Sequence, residues 1–244
     1  MDPKKTRINI LGTGVDSIPR HEALQKASQF MTSLRSHHII TANSLLILEA
    51  QKNPALHQAC QKASLVLPDS AGVSWAAITL HASRLYRYPG IDMAFEMCGI
   101  AQSMNVPIYL LGGEPGISKN AARYLYQQLP RLVIAGMRDG FFQERDEKSI
   151  FDDIAQSRAR LVLVAMGMPK QEIWISQRWP HLPPAVYMGV GGTLDVWAGK
   201  VNRAPPLVQK SGFEWLYRLG QEPSRWKRMT QLPKFAIKVI TRRF

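Results

Sequence analysis

The sequence RLVLVAMGMPKQEIWISQRWPHLPPAVYMGVGGTLDVWAGKVNRAP spans residues 160–205 and indicates the fold class. It contains two apolar runs, residues 161–165 and 185–190, and each run leads into a glycine-containing turn. A short apolar run that passes through such a turn into a helix is typical of a parallel strand buried on both faces. Because ligands of open α/β sheets bind at the carboxyl ends of such strands, we expect these two turns to lie at the binding site.

Strand-like and helix-like segments alternate through the first 195 residues. The predicted strands are residues 7–11, 38–41, 64–67, 106–111, 132–135, 161–165 and 185–190, and the first two predicted helices are residues 17–34 and 45–59. Gly12-Thr13-Gly14 lacks the full spacing of a dinucleotide-binding loop, so we interpret it as a plain strand-to-helix turn. The alternation predicts an α/β fold, a mostly parallel sheet with helices on both faces.

The end of the chain differs in pattern and in charge. Residues 200–244 carry eleven Lys or Arg and two Glu, a net charge of +9 out of +13 for the whole chain. We therefore divide the chain into a domain of residues 1–198 and a basic, amphipathic helical appendage of residues 199–244. Aromatic residues lie beside Arg218, Arg225 and Arg228, which favours docking on an anionic membrane. Packing of the appendage on its own domain ranks second, and a nucleic-acid surface ranks last.

The rest of the composition bounds the cellular location. The two cysteines, Cys60 and Cys98, form neither a metal-spacing pair nor a disulfide framework, which fits a reducing compartment. No window approaches the roughly 18 apolar residues of a membrane span, and the first residues do not resemble a signal peptide. We expect a cytoplasmic protein that sits at most on the inner face of the membrane.

Three polar residues follow predicted neighbouring strands. Asp69 comes after Pro68 at a strand end, where a carboxylate could act as a general base, although spacing alone favours a helix cap. Thr41 and Asn43 end the strand before it, and a turn-and-cap pair is about as good an interpretation of them as ligand contact. The sequence therefore offers one candidate base with two candidate neighbours.

Three more residues could bind an anion or a sugar. Arg87 lies in a tight loop and could hold an anion with two N–H groups, although a solvated surface arginine is commoner. Gln171 begins a helix, where free backbone N–H groups favour phosphate. Asp195 could accept a hydrogen bond from a sugar hydroxyl, with helix capping as the alternative. Asp-x-Asp, Walker and histidine–cysteine metal patterns are all missing, so we expect no metal.

These residues belong to motifs that resemble those of the WecG/TagA/CpsF glycosyltransferase family over nearly the whole chain. The motifs are Thr41-x-Asn43, Leu67-Pro68-Asp69-x-x-Gly72, Arg87-x-x-Gly90-x-Asp92, Leu110-Leu111-Gly112-Gly113, Asp139-Gly140-Phe141-Phe142, Met166-Gly167-x-Pro169-Lys170-Gln171-Glu172, Gly189-Val190-Gly191-Gly192-x-x-Asp195-x-x-x-Gly199-x-x-x-Arg203-Ala204-Pro205 and Glu214-Trp215-Leu216-Tyr217-Arg218-Leu219. The last three are the most specific.

The resemblance implies a Rossmann-like, inverting enzyme that needs no metal or other cofactor. It would transfer N-acetylmannosamine or its uronic acid from UDP to the 4-hydroxyl of N-acetylglucosamine-diphospho-undecaprenol, in the synthesis of a cell-wall or surface polysaccharide of the wall teichoic acid linkage type. Asp69 would be the catalytic base, which reverses the cap-first interpretation. The residues implied to bind substrate are Thr41, Asn43, Arg87, Gln171, Asp195, Arg218, Arg225 and Arg228.

The resemblance also implies that the appendage docks on the inner face of the cell membrane and completes the site, with no nucleic-acid partner. Off the membrane, its apolar strip could self-associate. One departure concerns the residue after Asp69, which is commonly glycine in the family and is Ser70 here. A serine resists positive φ, so the turn could differ. The alternative function is a non-catalytic module that binds a nucleotide-sugar or a lipid diphosphate.

Overall fold

The computed structural model describes residues 7–211, 214–223 and 226–242. The strands are β1 (Arg7–Ile10), β2 (Thr13–Asp16), β3 (His37–Ala42), β4 (Leu65–Pro68), β5 (Ile108–Gly112), β6 (Ile134–Arg138), β7 (Leu161–Ala165) and β8 (Val186–Gly189). The helices of the domain are α1 (Arg20–Thr32), α2 (Ser44–Ala50), α3 (Pro54–Lys62), α4 (Ala71–His81), α5 (Gly90–Ser103), α6 (Ile117–Gln128), α7 (Glu147–Ser157), α8 (Lys170–Arg178) and α9 (Thr193–Trp197). The helices that follow are α10 (Pro206–Ser211), α11 (Glu214–Gln221), α12 (Trp226–Met229) and α13 (Gln231–Thr241). Short 3-10 helices occupy Glu144–Asp146 and Trp179–His181.

The core is a six-stranded sheet in the order β4-β3-β8-β7-β5-β6, and every neighbouring pair is parallel. Residues 161–165 of β7 are all apolar because both faces of this strand are buried. Leu161 and Leu163 face the cluster formed with α1, α5 and α6, whereas Val162 and Val164 face the cluster formed with α7 and α8. Both faces are covered by helices, so the predicted Rossmann-like α/β class is confirmed.

The predicted role of the first strand is wrong. β1 pairs with β2 in an antiparallel hairpin outside the main sheet, and Leu11 and Gly12 form the two-residue turn with φ of 49° and 91°. Two positive φ values match the right-handed twist of a hairpin. The Gly12-Thr13-Gly14 segment therefore turns the chain into a second strand and does not lead directly into a helix.

The single helix predicted for residues 45–59 is also wrong. The structure has α2 and α3 there, because Asn53 accepts hydrogen bonds from the N–H groups of Ala55 and Leu56 and Pro54 opens a new helix. Proline suits the first helical position, since its missing N–H would have no partner within the helix. Strand β6 lies at residues 134–138, later than the predicted residues 132–135.

The C-terminal helices fold back on the domain. Phe235 and Val239 of α13 are buried in the same apolar cluster as α2 and α4, and Lys238 Nζ lies 2.7 Å from Gln51 Oε1. No helix formed by the described residues combines the length and the apolarity that a bilayer crossing requires. The division into residues 1–198 and 199–244 stays a prediction.

Candidate active site

Two cavities open at the carboxyl edge of the sheet, and the turns after β7 and β8 separate them. We call the first, of about 530 Å³, the Asp69 cavity, and the second, of about 670 Å³, the Asp195 cavity. Gly167, Gly191 and Gly192 line both. Seven of the nine predicted site residues line the Asp69 cavity: Thr41, Asn43, Asp69, Arg87, Gln171, Arg218 and Arg228. Asp195 lines the other cavity, and Arg225 lies outside the described residues.

Asp69 lies at the carboxyl end of β4, and its side chain is held by the start of α5 and not by α4, the helix that follows it in the chain. Ser70, not Asp69, caps α4 by accepting the Val73 N–H, whereas Asp69 Oδ1 accepts the Gly90 N–H at the start of α5, at 2.8 Å. Ser70 has φ of −109°, so this turn does not require the positive φ that glycine would favour. Among the described backbone N–H groups, that of Gly90 alone is bonded to the carboxylate, through Oδ1.

The surroundings of Asp69 make it a stronger base than an exposed aspartate. Burial raises the pKa of Asp69 to about 6, the Gly90 N–H and Arg87 counteract part of the rise, and the charge of Glu214 adds to it. The nearby Asn43 side chain also lowers the pKa of Asp69, while Asn43 Oδ1 accepts the N–H groups of Leu45 and Leu46. Asn43 is thus both the cap of α2 and a neighbour of the candidate base. A general base works best with a pKa near the working pH.

Arg87 joins the Asp69 turn to the C-terminal helices. Its Nε donates to the Asp69 carbonyl oxygen at 3.0 Å and its Nη1 to the Gln209 carbonyl oxygen at 2.9 Å. Its Nη2 lies 3.4 Å from Glu214 Oε2. A guanidinium has five N–H donors, so Arg87 keeps donors for a ligand while it connects these two regions.

Gln171 connects the two turns predicted from residues 160–205. Its Oε1 accepts the Gly167 N–H at 3.2 Å and the Gly191 N–H at 3.0 Å. Its Nε2 donates to Glu172 Oε1 at 2.7 Å, and burial raises the pKa of Glu172 to about 7. Both lone pairs of the amide oxygen are used, which leaves one N–H donor for a ligand. Gln171 therefore sets the distance between the turns as well as lining the cavity.

Arg218 lies over the border of the two cavities. A Cβ built on Gly192 would collide with its Nη2, so a larger residue there would displace the guanidinium from this position. Arg218 Nε pairs with Glu222 Oε2 at 3.2 Å, while the buried Nη2 has no hydrogen-bond partner in the described part of the chain. Buried N–H donors are nearly always paired, so this one is suited to receive an anion. Arg228 also lines the Asp69 cavity, on α12.

Asp195 and Thr41 occupy the remaining predicted positions. Asp195 lies in the first turn of α9, which Gly192 precedes as the cap residue, and Lys200 Nζ is 4.0 Å from Asp195 Oδ1. Burial raises the pKa of Asp195. Thr41 packs its hydroxyl against Gly90, where an added Cβ would lie 2.9 Å from Oγ1. Thr41 therefore contacts the same helix start that holds Asp69.

Sequence reasoning assigned no role to Glu214, Trp75 or Lys200, which also line the cavities. Glu214 was visible only as part of a motif, because its contact with Arg87 spans 127 residues. The signal for Trp75 was a large aromatic residue shortly after the candidate base in an otherwise small-residue helix. The local sequence could single out these residues, but it could not predict which distant residues they contact.

Comparison with known proteins identifies the family to which this chain belongs. Residues 8–244 match the family model described as the glycosyl transferase WecG/TagA/CpsF family. A protein of Bacillus spizizenii (strain ATCC 23059 / NRRL B-14472 / W23) is 32% identical over 203 residues, covering 83% of this chain and 78% of its own. One of Bacillus subtilis (strain 168) is 31% identical over 221 residues, covering 87% and 86%. Both are named N-acetylglucosaminyldiphosphoundecaprenol N-acetyl-beta-D-mannosaminyltransferase. Because the family model covers nearly the whole chain and both relatives are more than 30% identical over most of their length, this chain belongs to the WecG/TagA/CpsF glycosyltransferase family.

Proposed function

We propose that the protein transfers N-acetylmannosamine, or its uronic acid, from UDP to the 4-hydroxyl of N-acetylglucosamine-diphospho-undecaprenol. The names of the two Bacillus relatives support this acceptor and the N-acetylmannosaminyl group. The observation that carries the proposal is the Asp69 carboxylate, which lines a cavity together with two arginines of the C-terminal helices. The product would enter a cell-wall or surface polysaccharide, of the wall teichoic acid linkage type.

In this proposal Asp69 is the general base. The oxygen not held by Gly90 takes the proton of the acceptor hydroxyl while the hydroxyl oxygen attacks the anomeric carbon of the donor. The bond to UDP breaks on the opposite face, so one displacement inverts that carbon. Thr41, Asn43 and Arg87 lie around the base and would orient the two sugars. Such positioning lowers the barrier by holding the reacting atoms close together.

The departing UDP would lie across the border between the cavities, with its nucleoside in the Asp195 cavity. Asp195 and Lys200 line that cavity, and the border carries Arg218 with its unpaired Nη2. Arg218 would stabilise the charge that develops on the UDP diphosphate, and Arg228 would pair with the diphosphate of the acceptor. Gln171 would hold both turns beneath it, and Arg225 stays a predicted contributor. Independence of metal and of other cofactors also stays a prediction.

We further propose that the protein docks on the inner face of the cell membrane through its C-terminal helices. Among the described residues, the large exposed apolar side chains there are Leu207, Trp215, Leu216, Trp226, Ile237 and Ile240. Basic residues alternate with them, as expected for a helix that binds an anionic surface. This arrangement would bring the membrane-embedded acceptor to the Asp69 cavity.

A donor panel tests the proposed function directly. Purified full-length protein is incubated with a synthetic N-acetylglucosaminyl diphosphate lipid and, in turn, UDP-linked N-acetylmannosamine, its uronic acid and glucose. We expect UDP release and a disaccharide lipid with one of the first two donors. Binding of UDP without turnover of any donor would instead favour the non-catalytic binding module.

Glu214 provides a prediction on pH dependence. The base is active when deprotonated, so kcat/KM should fall as the pH drops through about 6, the pKa that burial gives Asp69. The negative charge of Glu214 contributes to that raised pKa. Glu214→Gln removes this negative charge and leaves the positive charge of Arg87 uncompensated. Both changes lower the pKa of Asp69, so the acid limb of the pH profile should move to lower pH. Glu222→Gln is the control, since Glu222 pairs with Arg218. An equal displacement in both variants would contradict the prediction.

Gly192 provides a prediction on the leaving group. Its φ of −83° allows alanine, and among the described residues the atoms nearest to an added Cβ belong to the guanidinium of Arg218, which alanine would push aside. We expect turnover to fall about a hundredfold, as for other lost charge-stabilising donors, with the melting temperature nearly unchanged. Gly99→Ala in α5 is the control, because an added Cβ there meets nothing within 4 Å. Wild-type turnover in Gly192→Ala would show that the position of Arg218 is unimportant.

A further inference from the structure

The Asp69 cavity has an apolar wall that sugar transfer does not require. The side chains of this wall come from α4 and the C-terminal helices: Trp75, Trp215, Met229, Leu232 and Phe235. Trp75 and Trp215 are each 39% exposed, so their rings are partly open to a ligand. Sugar hydroxyls and phosphates are polar, and stacking under one sugar ring would use a single aromatic side chain, so most of this apolar surface has no role in binding them.

The wall leads away from the candidate base. Helix α4 begins directly after Asp69 and its cap residue Ser70, and Trp75 follows five residues later, about 8 Å along the helix axis. Ile78 is on the same face of α4, three residues further, and is 51% exposed. Helix α13 packs along α4, where the buried Phe235 supports the apolar surface from beneath. The apolar surface therefore starts near Asp69 and continues towards the outside of the protein.

The order of groups in the proposed acceptor matches the order of chemistry in this cavity. Its sugar hydroxyl must reach Asp69, and its diphosphate follows the sugar. Arg228 lines the same cavity and makes no hydrogen bond or ion pair within the described ranges. The group after the diphosphate is an isoprenoid chain, which is apolar like the remaining wall. Charge and polarity thus point to the acceptor as the occupant of the apolar side of this cavity, beside the donor sugar.

Resting on the proposed function, we propose that α4 and the C-terminal helices form a groove for the first isoprene units of the acceptor, with Trp75 as a specificity residue. Burial of each methylene group strengthens binding about fourfold. A lipid chain in this groove would therefore lower KM for the acceptor before any contact with a bilayer. The groove would also align the diphosphate with Arg228.

The test compares two water-soluble acceptors, N-acetylglucosaminyl diphosphates that carry an ethyl or a farnesyl group, with the full-length protein and no membrane present. Wild-type protein should have the higher kcat/KM with the farnesyl acceptor. Trp75→Ala should reduce that preference about tenfold, through KM for the farnesyl acceptor alone. Trp75→Phe should restore most of the preference.

Trp226→Ala is the matched control, because Trp226 is 64% exposed on α12 and does not line the cavity. It should leave the preference unchanged, which separates the groove from membrane docking. A Trp75→Ala variant that loses activity equally with both acceptors, or keeps the full preference, would overturn the groove and leave the proposed function intact. Wild-type protein that is inert with both acceptors would overturn the proposed function and the groove with it.

Discussion

Asp69→Asn is expected to reduce turnover about a thousandfold while the affinity for UDP stays within about twofold of wild type. Asparagine has nearly the same shape, and its amide oxygen can still accept the Gly90 N–H that Asp69 accepts at 2.8 Å. The amide cannot take a proton from the acceptor hydroxyl at neutral pH. The loss therefore falls on the chemical step, which single-turnover kinetics measures, whereas calorimetry with UDP measures binding.

Ser70→Ala is the neighbouring control for Asp69→Asn. It removes the cap of α4 and should cost about 1 kcal/mol of stability, yet leave turnover close to wild type. The two variants separate loss of the base from local damage to the turn. Retention of more than about a tenth of the wild-type rate in Asp69→Asn would contradict the assignment of the base, because a positioned general base contributes at least about a hundredfold.

Deletion of all residues after Val201 is expected to abolish turnover and binding to anionic vesicles. It removes Arg218 and Arg228, and loss of a single such charge-stabilising group costs about a hundredfold or more. It also removes Phe235 and Val239, which cover apolar side chains of α2 and α4. The remaining domain should fold, because the six-stranded sheet lies wholly before the deletion. The uncovered strip should then make the domain self-associate.

Three measurements read out the deletion: UDP release, vesicle sedimentation and light scattering. The full-length double variant with Arg218→Ala and Arg228→Ala is the control, since it keeps Phe235 and Val239 in place. It should lose turnover and remain unassociated. Full activity of the truncated chain would show that the C-terminal helices do not complete the site. A truncated chain that does not fold would contradict the division into residues 1–198 and 199–244.

The sheet could be predicted because buried parallel strands have a simple sequence pattern. Residues 161–165 are apolar throughout, since alternate side chains of β7 enter clusters on opposite faces of the sheet. The hairpin at Leu11 and Gly12 escaped prediction because leucine rarely adopts a φ of 49°. The break between α2 and α3 could have been predicted, because Asn53 followed by Pro54 is a common sequence at the start of a helix.

By itself, the sequence determined the α/β class, the family motifs and the position of Asp69 at a strand end, because each depends on residues close together in the chain. Only the tertiary structure decided that Asp69 accepts the Gly90 N–H, that Arg87 pairs with Glu214 and that Arg218 lies over Gly192. Each of these contacts joins residues that are far apart in the chain, and no local preference specifies such a partner. The contacts of Glu214 and Arg218 form because the C-terminal helices bury Phe235 and Val239 against α2 and α4, which brings both residues to the site.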